Sequence, residues 1–438
     1  MYILNAKIEN IRSIRRFELS FEPEECPGWH VLIGDNGAGK TTIVRALALG
    51  LIGHAEALVL RQDWRTWLRH GGKRGYVELS LLGDASVDPP ESDGSPTGNK
   101  LTSIPVITEA PFQSGKSRPS VVLGYDSGDT YGEFSPDRGW FSASFGPYRR
   151  LSGGDPKVDP LFESHPRVAP HLSAFGEDIA FTHIVSWLRD LRFRQLENER
   201  SDPARLLNDL RRFINDGRLL PHDTTLQEVT SDEVVFRDGN GCKVDINQLS
   251  DGYRSVLSLT FELIRQLLGA YGRKKVFIRD GDSVKPQIEV PGVVIVDEID
   301  AHLHPTWQRR IGRWFTERFP KLQFIVTTHS PLVCQAAERG SVWRLPTPGV
   351  EDDGGRITGT ELKRLIYGNV LEAYGTEAFG SSVNRSESSK EKMLRLAQLN
   401  QKSLRSDLSE TEQAELLDLR STLPTSAGTL DATQGEVH

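Results

Sequence analysis

The first 82 residues contain two hydrophobic patterns. The first predicts a pair of strands, and the second predicts a strand, a loop and a helix. "YILNAKIENIRSI" and "RRFELSF" carry apolar residues at alternate positions, as paired antiparallel strands with one buried face do. "WHVLIGDNGAGKTTIVRALALGL" then passes from a short apolar strand through a glycine-rich turn into an apolar helix. The pattern predicts an α/β fold with antiparallel N-terminal strands.

Two later apolar runs end abruptly in polar residues. "PGVVIVDEID" has four β-forming residues, Val293 to Val296, directly before Asp297 and Glu298, and "LQFIVTTHSP" ends its apolar run before His329. Both runs predict buried parallel strands, and ligands collect at the carboxyl ends of such strands. These three polar side chains are therefore candidates for one site.

The stretch "LSDGYRS", Leu249 to Ser255, separates a strand-like run, Lys243 to Ile246, from an apolar helical run, Val256 to Leu268. Serine, aspartate and glycine at the start of a helix satisfy free backbone N–H groups, so the stretch can be a helix cap alone. The same groups can bind an anion, because the N-terminus of a helix carries a positive potential. Both interpretations stay open at this point.

The interval from residue 54 to residue 248 predicts a compact insertion. Residues 178–219 contain two amphipathic helical patterns separated by "SDP", a helix cap and a proline start. Residues 83–139 are rich in Gly, Pro, Ser and Asp, which is typical of loops and hairpins. No heptad repeat lasts four heptads, so a long coiled-coil arm is excluded.

The composition changes from Gly375 onward. "SKEKMLRLAQLNQKSL" and "SETEQAELLDLRSTL" predict two amphipathic helices, the second opened by a capping box of Ser409 and Glu412. They either dock a partner protein or pack against the main domain. Four segments are predicted: the first part of the main domain (1–82), inserted strands, loops and a helical lobe (83–240), the second part of the main domain (241–374), and a helical partner-docking extension with a flexible tail (375–438).

Composition excludes several classes of protein. The 438 residues suffice for two or three domains, and a net charge of −7 gives no general attraction for a polyanion. Cys26, Cys242 and Cys334 lie far apart without a C-x-x-C pair, which argues against a disulfide framework and a structural zinc site. The N-terminus lacks the pattern of a secretory signal, and no run approaches the length of a membrane span. We expect a cytoplasmic protein without a membrane partner.

One local segment is basic. "RQDWRTWLRHGGKRGYVELSL" interleaves Trp64 and Trp67 with five cationic residues, namely Arg61, Arg65, Arg69, Lys73 and Arg74. Such a mixture can follow a nucleic-acid backbone, so nucleic acid is a candidate partner. An amphipathic helix with a solvated basic face is the alternative.

The glycine-rich turn matches G-x-x-x-x-G-K-[ST] at Gly34, Gly39, Lys40 and Thr41. Small residues let consecutive backbone N–H groups close around phosphates, the lysine reaches the β- and γ-phosphates, and the threonine hydroxyl ligates Mg²⁺. The turn therefore predicts ATP and Mg²⁺ as ligands. The residues assigned to the nucleotide are Asn36, Gly37, Gly39, Lys40, Thr41 and Thr42.

The acidic pair after the first apolar run has the form of a Walker B element. Asp297 would hold Mg²⁺ through its water shell, and Glu298 would orient the attacking water or accept its proton. His329 would donate a hydrogen bond to the γ-phosphate. The predicted catalytic residues are thus Lys40, Glu298 and His329, and the predicted metal ligands are Thr41 and Asp297. A core strand with a polar end and a structural histidine are the alternatives.

The order and spacing of these motifs resemble the ABC-type ATPase heads of the SMC, RecF and OLD families. Lys40 and Asp297 stand about 250 residues apart, and "LSDGYRS" precedes the acidic pair as the L-S-x-G signature does in those heads. The resemblance implies a P-loop ATPase head whose mixed sheet has antiparallel N-terminal strands and a parallel core, with a compact helical insertion and a C-terminal helical extension. It also implies that Ser250 and Gly252 of one protomer bind the γ-phosphate of ATP held by another. Asp251 replaces the second glycine of transporter signatures, so its carboxylate must point away from phosphate.

Two further segments are assigned by the same resemblance. "DEIDAHLHPTWQ" is similar to the D-loop of OLD-like and RecF-like ATPases, which gives Asp300 a contact with the facing protomer. "PYRRLSGG" places Arg149 near the nucleotide, with a surface arginine as the alternative. The chain after the head is too short for the Toprim nuclease domain of OLD proteins, so we expect no nuclease activity of its own.

Together, "GDNGAGKTT", "PYRRLSGG", "LSDGYRS", "VDEIDAHLHP" and "TTHSP" resemble the ATPases of Septu-type and retron-associated anti-phage systems. The resemblance implies an ATP-hydrolysing regulatory subunit that forms a homodimer or a higher assembly of dimers and controls an HNH nuclease. A RecF-like DNA repair ATPase that clamps DNA without a nuclease is the main alternative. A nucleotide-gated scaffold with little turnover is the third.

Overall fold

The computed structural model describes residues 1–60, 62–84, 87, 100–109, 121–125, 141–153, 161, 164–176, 181–280, 283–350, 352, 354–368, 387–403 and 408–422. The chain forms two compact units, Met1–Val370 and Leu371–His438. Most of the loop region predicted at residues 83–139, and the tail predicted after the last helix, lie outside the described residues.

The described strands are β1 (Tyr2–Ile11), β2 (Ile14–Ser20), β3 (Gly28–Ile33), β4 (Arg74–Leu82), β5 (Lys100–Ser103), β6 (Pro105–Glu109), β7 (Val121–Tyr125), β8 (Ser142–Phe145), β9 (Thr225–Val229), β10 (Val234–Arg237), β11 (Lys243–Asp245), β12 (Arg279–Asp280), β13 (Ser283–Val284), β14 (Gly292–Val296), β15 (Leu322–Thr328), β16 (Gly340–Arg344) and β17 (Gly355–Arg356). The longer helices are α1 (Lys40–Ile52), α2 (Thr182–Glu197), α3 (Asp202–Asp216), α4 (Asp251–Tyr271), α5 (Pro305–Arg318), α6 (Gly359–Tyr367), α7 (Glu387–Ser403) and α8 (Glu410–Thr422). Single helical turns occupy His54–Ala57, Leu58–Leu60, Trp64–Thr66, Ala169–His171, Leu172–Phe175, Ile246–Gln248, Arg273–Val276, Pro331–Cys334 and Gln335–Arg339.

A six-stranded sheet forms the centre of the first unit. Its order is β17-β16-β3-β15-β14-β8, and all neighbouring strands are parallel except β16 and β17. Every residue of β3, β14 and β15 is buried, as their continuous apolar runs predict. Because these strands are parallel neighbours, the residues that follow them meet at one edge of the sheet.

The N-terminal strands form a second, antiparallel sheet in the order β2-β1-β4-β6-β7, with β5 also paired to β4. Helix α1 contacts strands of both sheets. At Gly50 of α1 a Cβ atom would lie 2.4 Å from Leu79 Cδ1 of β4, so the helix and the sheet pack closely there. The predicted fold class, α/β with a mixed sheet of antiparallel N-terminal strands and a parallel core, is confirmed. The N-terminal strands pair with one another in a sheet of their own, and the central sheet is mixed through the antiparallel β16–β17 pair.

Helices α2 and α3 form the helical lobe of the insertion, as the sequence predicts. Ser201 caps α3 by accepting a hydrogen bond from the N–H of Ala204 at 3.3 Å, with proline in the first turn. Phe213 of α3 packs edge-on against Trp314 of α5, with ring centroids 5.9 Å apart. These contacts fix the lobe to the parallel-sheet part of the unit.

A buried carboxylate joins the lobe to α4. Glu262 is fully buried and accepts hydrogen bonds from His183 of α2 at 2.8 Å and from Arg265 and Gln266 of α4. The pKa of Glu262 falls to about 2, because these donors outweigh its burial. A charge buried in this way needs such partners, so α2 and α4 are held together at this point.

Helices α7 and α8 form a hairpin in the second unit. Four leucines, Leu396, Leu399, Leu416 and Leu419, form its buried cluster. The predicted capping box is confirmed: Ser409 N–H donates to Glu412 Oε2 at 3.0 Å, and Glu412 N–H donates to Ser409 Oγ at 3.2 Å. Among the described helices, none is both long and apolar enough to cross a bilayer.

Candidate functional site

The turn between β3 and α1 is shaped by two glycines in the left-handed region. Gly37 has φ 83° and Gly39 has φ 97°, values that residues with a side chain rarely adopt. A Cβ atom at Gly39 would also lie 2.6 Å from Ile14 Cδ1 and 2.8 Å from Ser13 Oγ. No side chain caps α1, and its first turn contains no acidic residue. The N–H of Ala38 donates to the carbonyl oxygen of Asp35 at 3.1 Å, and the uncapped start of α1 is suited to an anion.

Lys40 lies at the base of the turn and is only 7% exposed. Its Nζ donates hydrogen bonds to the carbonyl oxygens of Gly34 at 2.7 Å and Asp35 at 3.0 Å. Burial lowers the pKa of the Lys40 ammonium, and the nearby Asp297 and Glu298 oppose that effect. Asn36 and Gly37 are exposed in the turn, while Thr41 is half-buried and Thr42 is buried in the first helical turn.

Asp297 follows β14 and is 1% exposed. Its Oδ1 accepts a hydrogen bond from Thr327 Oγ1 at 2.5 Å. Its Oδ2 is buried and has no hydrogen-bond partner among the described residues. A buried carboxylate oxygen without a partner is costly unless a cation or water binds it. This oxygen fits a metal ion.

The donor set suits Mg²⁺. Thr41 supplies a hydroxyl and Asp297 a carboxylate, the oxygen ligands that Mg²⁺ prefers. Within the described part of the chain, no three His, Cys, Asp or Glu side chains gather to hold a metal by themselves. Mg²⁺ usually completes its shell with water and phosphate oxygens, so two protein ligands are sufficient.

Glu298, the next residue, has φ 46°, which is uncommon for a residue other than glycine. Its N–H donates to Thr327 Oγ1 at 2.7 Å, and its carbonyl oxygen accepts from Arg149 Nη2 at 2.9 Å. Its side chain is half-buried. The backbone of Glu298 is thus held on both sides.

Arg149 is 4% exposed, so the alternative of a surface arginine is wrong. Its guanidinium donates to the carbonyl oxygens of Gly146, Asp297 and Glu298 at 2.7 to 2.9 Å, and to Ser255 Oγ at 3.1 Å. Burial lowers the pKa of Arg149 to about 10. These bonds join the Walker B turn to α4, and a direct contact of Arg149 with a nucleotide stays a prediction.

The signature stretch starts α4. Ser250 is exposed, and its side chain caps no backbone N–H, so the helix-cap alternative lacks its hydrogen bond. Asp251 pairs with Arg254, which also lowers the pKa of the Asp251 carboxyl group. The serine hydroxyl is open to solvent, and the aspartate lies against an arginine of its own helix.

The D-loop packs on the signature helix of the same chain. A Cβ atom at Gly252 would lie 2.6 Å from the carbonyl oxygen of His302, whose φ is 65°. Asp300 Oδ1 accepts from Thr328 Oγ1 at 2.6 Å. His304 starts α5 by accepting a hydrogen bond from Thr306 N–H at 3.4 Å. His329 is exposed just after β15.

The fold therefore brings the phosphate-binding turn, Asp297, Glu298 and Asp300 together at one edge of the parallel sheet. There the three carboxylates act to raise the pKa of Lys40, against the lowering effect of its burial. Ser250 and Gly252 lie at the start of α4, which Arg149 connects to that edge. The roles of these residues toward ATP remain predictions. A contact between Ser250 and a second copy also remains one.

Sequence reasoning missed Thr327 and Ser255. Thr327 contacts Asp297 across 30 residues of sequence, and Ser255 contacts Arg149 across 106. Neither contact has a sequence pattern, because both depend on which strands and helices become neighbours. The second threonine of "TTHSP", Thr328, likewise contacts Asp300.

The basic segment is not an amphipathic helix. Trp67 is fully buried under the guanidinium of Arg12, 4.8 Å from the ring centroid. Arg65 pairs with Asp63, and Arg69 donates to the carbonyl oxygen of Ser13. That alternative is wrong, because the residues form turns that support the β1–β2 hairpin. Arg61 lies outside the described residues, and nucleic-acid binding stays a prediction.

Family models match both parts of the main domain. One, described as "AAA domain, putative AbiEii toxin, Type IV TA system", matches residues 161–335, and one described as "AAA domain" matches residues 6–88. The second match contains the phosphate-binding turn. The first contains the signature, the Walker B pair and His329.

Similar curated proteins include one named for the Septu system and one named for a retron. The "Septu protein PtuA" of Bacillus mycoides (strain KBAB4) is 25% identical over 345 residues, which are 78% of this chain and 40% of the relative. The "Retron Ec83 probable ATPase" of Escherichia coli is 37% identical over 120 residues, which are 27% of this chain and 20% of the relative. The chain thus spans two fifths or less of the length of these relatives.

Similar solved structures include the one titled "Crystal structure of the SmcHead bound to the C-winged helix domain of ScpA". It is 16% identical with a TM-score of 0.43 and covers 82% of this chain and 97% of that chain. Another is "Structure of the recombination mediator protein RecF-ATPrS in RecFOR pathway". It is 11% identical with a TM-score of 0.40 and covers 82% of this chain and 98% of that chain.

By these matches the chain is similar to AAA-domain proteins and to proteins of the Septu and retron systems.

Proposed function

We propose that this chain binds ATP with Mg²⁺ and hydrolyses it at the edge formed by the phosphate-binding turn and the Walker B pair. The observation that carries the proposal is the convergence of buried Lys40 with Asp297, whose Oδ2 has no protein partner among the described residues. The AAA-domain matches over residues 6–88 and 161–335 support it.

Each group of residues has one role in binding or hydrolysing ATP, set by its chemistry. The N–H groups at the start of α1 and the Lys40 ammonium bind the β- and γ-phosphates. Glu298 orients the attacking water or accepts its proton, and His329 donates a hydrogen bond to the γ-phosphate. Thr41 and Asp297 hold Mg²⁺, which when bound neutralises the negative charge of the phosphates.

The signature supplies the remaining contacts from a second copy. Ser250 is exposed at the N-terminus of the 21-residue α4, where an anion is favoured by the helix dipole. Its own Asp251 is paired with Arg254. ATP bound by one copy would thus hold two copies together as a homodimer, alone or within a higher assembly.

Replacement of Glu298 by glutamine tests the ATPase proposal. Glu298→Gln keeps the size of the side chain and removes the base, so we expect kcat to fall by about 100-fold or more. The Kd of a fluorescent ATP analogue should stay within about threefold, because ground-state binding does not need the base. Steady-state phosphate release and analogue titration measure the two quantities.

Glu199→Gln is the matched control, because Glu199 lies in the exposed turn between α2 and α3. It should leave both quantities unchanged. A Glu298→Gln protein that hydrolyses ATP at the rate of the unsubstituted protein contradicts the assignment of the base. An unsubstituted protein without any turnover contradicts the proposed activity.

We further propose that the ATPase is the regulatory subunit of an anti-phage complex and controls an HNH nuclease. The similarity to the Septu and retron relatives supports this role, and the α7–α8 hairpin offers a place for the partner. Leu394 and Leu417 of that hairpin are 66% and 67% exposed. Exposed leucines on a two-helix unit are suited to a protein partner.

Co-expression with the protein encoded by the adjacent gene tests the partner. We expect an HNH protein that co-purifies with this chain and is lost with Leu394→Asp or Leu417→Asp, while ATP turnover is retained. Leu58→Asp, at a leucine of the first unit with 58% exposure, is the control. Replication or recombination genes next to this one, without an HNH protein, would instead favour the DNA repair alternative.

A further inference from the structure

The Walker B turn is held by two residues that lie far from it in the sequence. Thr327 Oγ1 accepts a hydrogen bond from the N–H of Glu298 at 2.7 Å and donates its own proton to Asp297 Oδ1 at 2.5 Å. One hydroxyl thus fixes the backbone of the predicted base and the carboxylate of the predicted metal ligand. Both bonds are satisfied at once because a hydroxyl both donates and accepts.

Arg149 acts on the other side of the same peptide units. Its Nη1 donates to the carbonyl oxygen of Asp297 at 2.7 Å, and its Nη2 donates to that of Glu298 at 2.9 Å. The planar guanidinium can span two consecutive carbonyl groups, which a lysine ammonium cannot do with the same geometry. Arg149 is 4% exposed, so water does not easily replace it.

These bonds hold Glu298 at a φ of 46°, in a region that non-glycine residues seldom occupy. Such a conformation persists only where its surroundings enforce it, and it is common at functional sites. Removal of the hydroxyl of Thr327 or the fork of Arg149 would release the turn toward ordinary backbone angles. The Glu298 carboxylate would then leave its position.

Arg149 also connects this turn to the signature helix. Its Nε donates to Ser255 Oγ, which lies on α4 one turn after Gly252. Ser258 of the same helix donates to the carbonyl oxygen of Arg149 at 3.3 Å. A shift of the start of α4 would therefore be transmitted through Arg149 to the backbone of Glu298.

We propose that Thr327 and Arg149 are positioning residues that clamp Glu298 in its left-handed conformation, and that Ser255 links this clamp to the signature helix. The proposal rests on the ATPase function proposed above. In this role Arg149 acts on Glu298 through hydrogen bonds to the backbone carbonyl groups of Asp297 and Glu298.

Paired substitutions at Thr327 test the clamp. Thr327→Val removes the hydroxyl at nearly constant volume, and we expect kcat to fall by about 10- to 100-fold, since a small misplacement of a catalytic group has that effect. The KM for ATP should stay within about threefold, because the phosphate-binding turn is untouched. Thr327→Ser restores the hydroxyl and should recover at least about half of the activity.

Hydrogen exchange supplies a readout that does not depend on turnover. The Glu298 amide loses its acceptor in Thr327→Val, so its exchange should accelerate about tenfold or more, while the amides of β14 keep their rates. Ser255→Ala and Arg149→Lys should accelerate the same amide. Because Ser255→Ala removes only a hydroxyl from a helix, it tests the link even if an Arg149 variant fails to fold.

Thr316→Val is the matched control, since within the described part of the chain the Thr316 hydroxyl bonds to carbonyl groups of its own helix, α5. It should change neither kcat nor exchange at Glu298. Wild-type kcat and wild-type exchange in Thr327→Val would overturn the proposal, as would a Thr327→Ser variant as slow as Thr327→Val. If the unsubstituted protein shows no turnover, the ATPase proposal fails, and exchange at Glu298 still decides on the clamp.

Discussion

At the scale of single residues, Lys40 is the side chain whose surroundings point most specifically to a phosphate ligand. Lys40 is buried and its ammonium donates hydrogen bonds to two carbonyl groups of the turn, while four carboxylates, those of Asp297, Glu298, Asp35 and Asp300, favour its charged form. A buried cation in such a place is well suited to a phosphate chain, since phosphate adds negative charge where backbone donors already point.

Lys40→Ala should therefore abolish nucleotide binding. We expect the Kd of a fluorescent ATP analogue to rise by about 100-fold or more, because a charge-assisted contact to phosphate is lost together with its positive potential. Equilibrium titration measures the change. Lys73→Ala, at an exposed lysine directly before β4, should bind the ATP analogue as the unsubstituted protein does. Binding retained in Lys40→Ala would contradict the assignment of the turn.

The residues that can be predicted from the sequence are those within contiguous motifs. Gly39, Lys40 and Asp297 follow from spacing, because the phosphate-binding turn and the acidic pair each use neighbours in the chain. Thr327 and Arg149 could not be found in that way. Their partners are set by the order of strands in the sheet, which no local pattern encodes.

At the scale of elements, two buried histidines make the parallel sheet sensitive to acid. His30 of β3 has Nδ1 2.8 Å from Ser341 Oγ and Nε2 3.0 Å from the carbonyl oxygen of Cys26. His171 lies between the hydroxyl groups of Ser142 and Ser144, at 3.0 and 2.9 Å. Burial lowers the pKa of His30 to about 4 and that of His171 to about 3.

The sign of the pH effect follows from these pKa values. In the unfolded chain these histidines take up protons near the ordinary histidine pKa of about 6.5. In the folded chain they take up protons only when the pH falls to their lowered pKa values, about 4 for His30 and about 3 for His171. Stability is therefore complete above pH 6.5 and falls as the pH decreases toward 4. We expect a loss of about 1–2 kcal/mol per histidine at pH 5.

Urea unfolding at pH 7.5 and pH 5 measures this effect through the free energy of unfolding. His171→Gln should reduce the difference between the two pH values, because it removes one titrating group. His70→Gln, at an exposed histidine, should leave the difference as it is. Equal stability at both pH values in the unsubstituted protein would contradict the account of these two side chains.

The elements themselves were predicted well where their patterns are periodic. The antiparallel N-terminal strands, α1, the pair α2 and α3, and the capped α8 all appear as expected. The segment from Gln62 to Lys73 differs, because tertiary contacts of Trp67 with Arg12 hold it in turns. A pattern of basic and aromatic residues does not reveal which aromatic ring will be buried.

At the scale of the whole molecule, we propose that the signature of one chain contacts ATP held by a second chain. Ser250 is exposed, and Arg149 connects Ser255 of the same helix to the Walker B turn. An isologous pair of copies would give each site one phosphate-binding turn and one signature. The dimer is a proposal that the exposure of Ser250 supports.

Ser250→Arg should block this pairing and spare ATP binding. A long cationic side chain at the start of α4 would occupy the space of the facing phosphate, while the turn before α1 is unchanged. We expect a single-chain mass in light scattering with ATP present and an analogue Kd within about threefold of the unsubstituted value. Ser231→Arg, at an exposed turn of the insertion, should still pair. Equal loss of binding and pairing would argue against a signature that acts on a second copy.

We propose that ATP joins two copies of this chain at sites built from residues of both. The most direct measurement is the mass of Glu298→Gln in solution with and without ATP and Mg²⁺, because this variant should bind ATP without consuming it. The account predicts a change from 48.9 kDa to twice that mass or an even multiple of it, only when both ligands are present. A protein that binds ATP at full occupancy and keeps the mass of a single chain would contradict it.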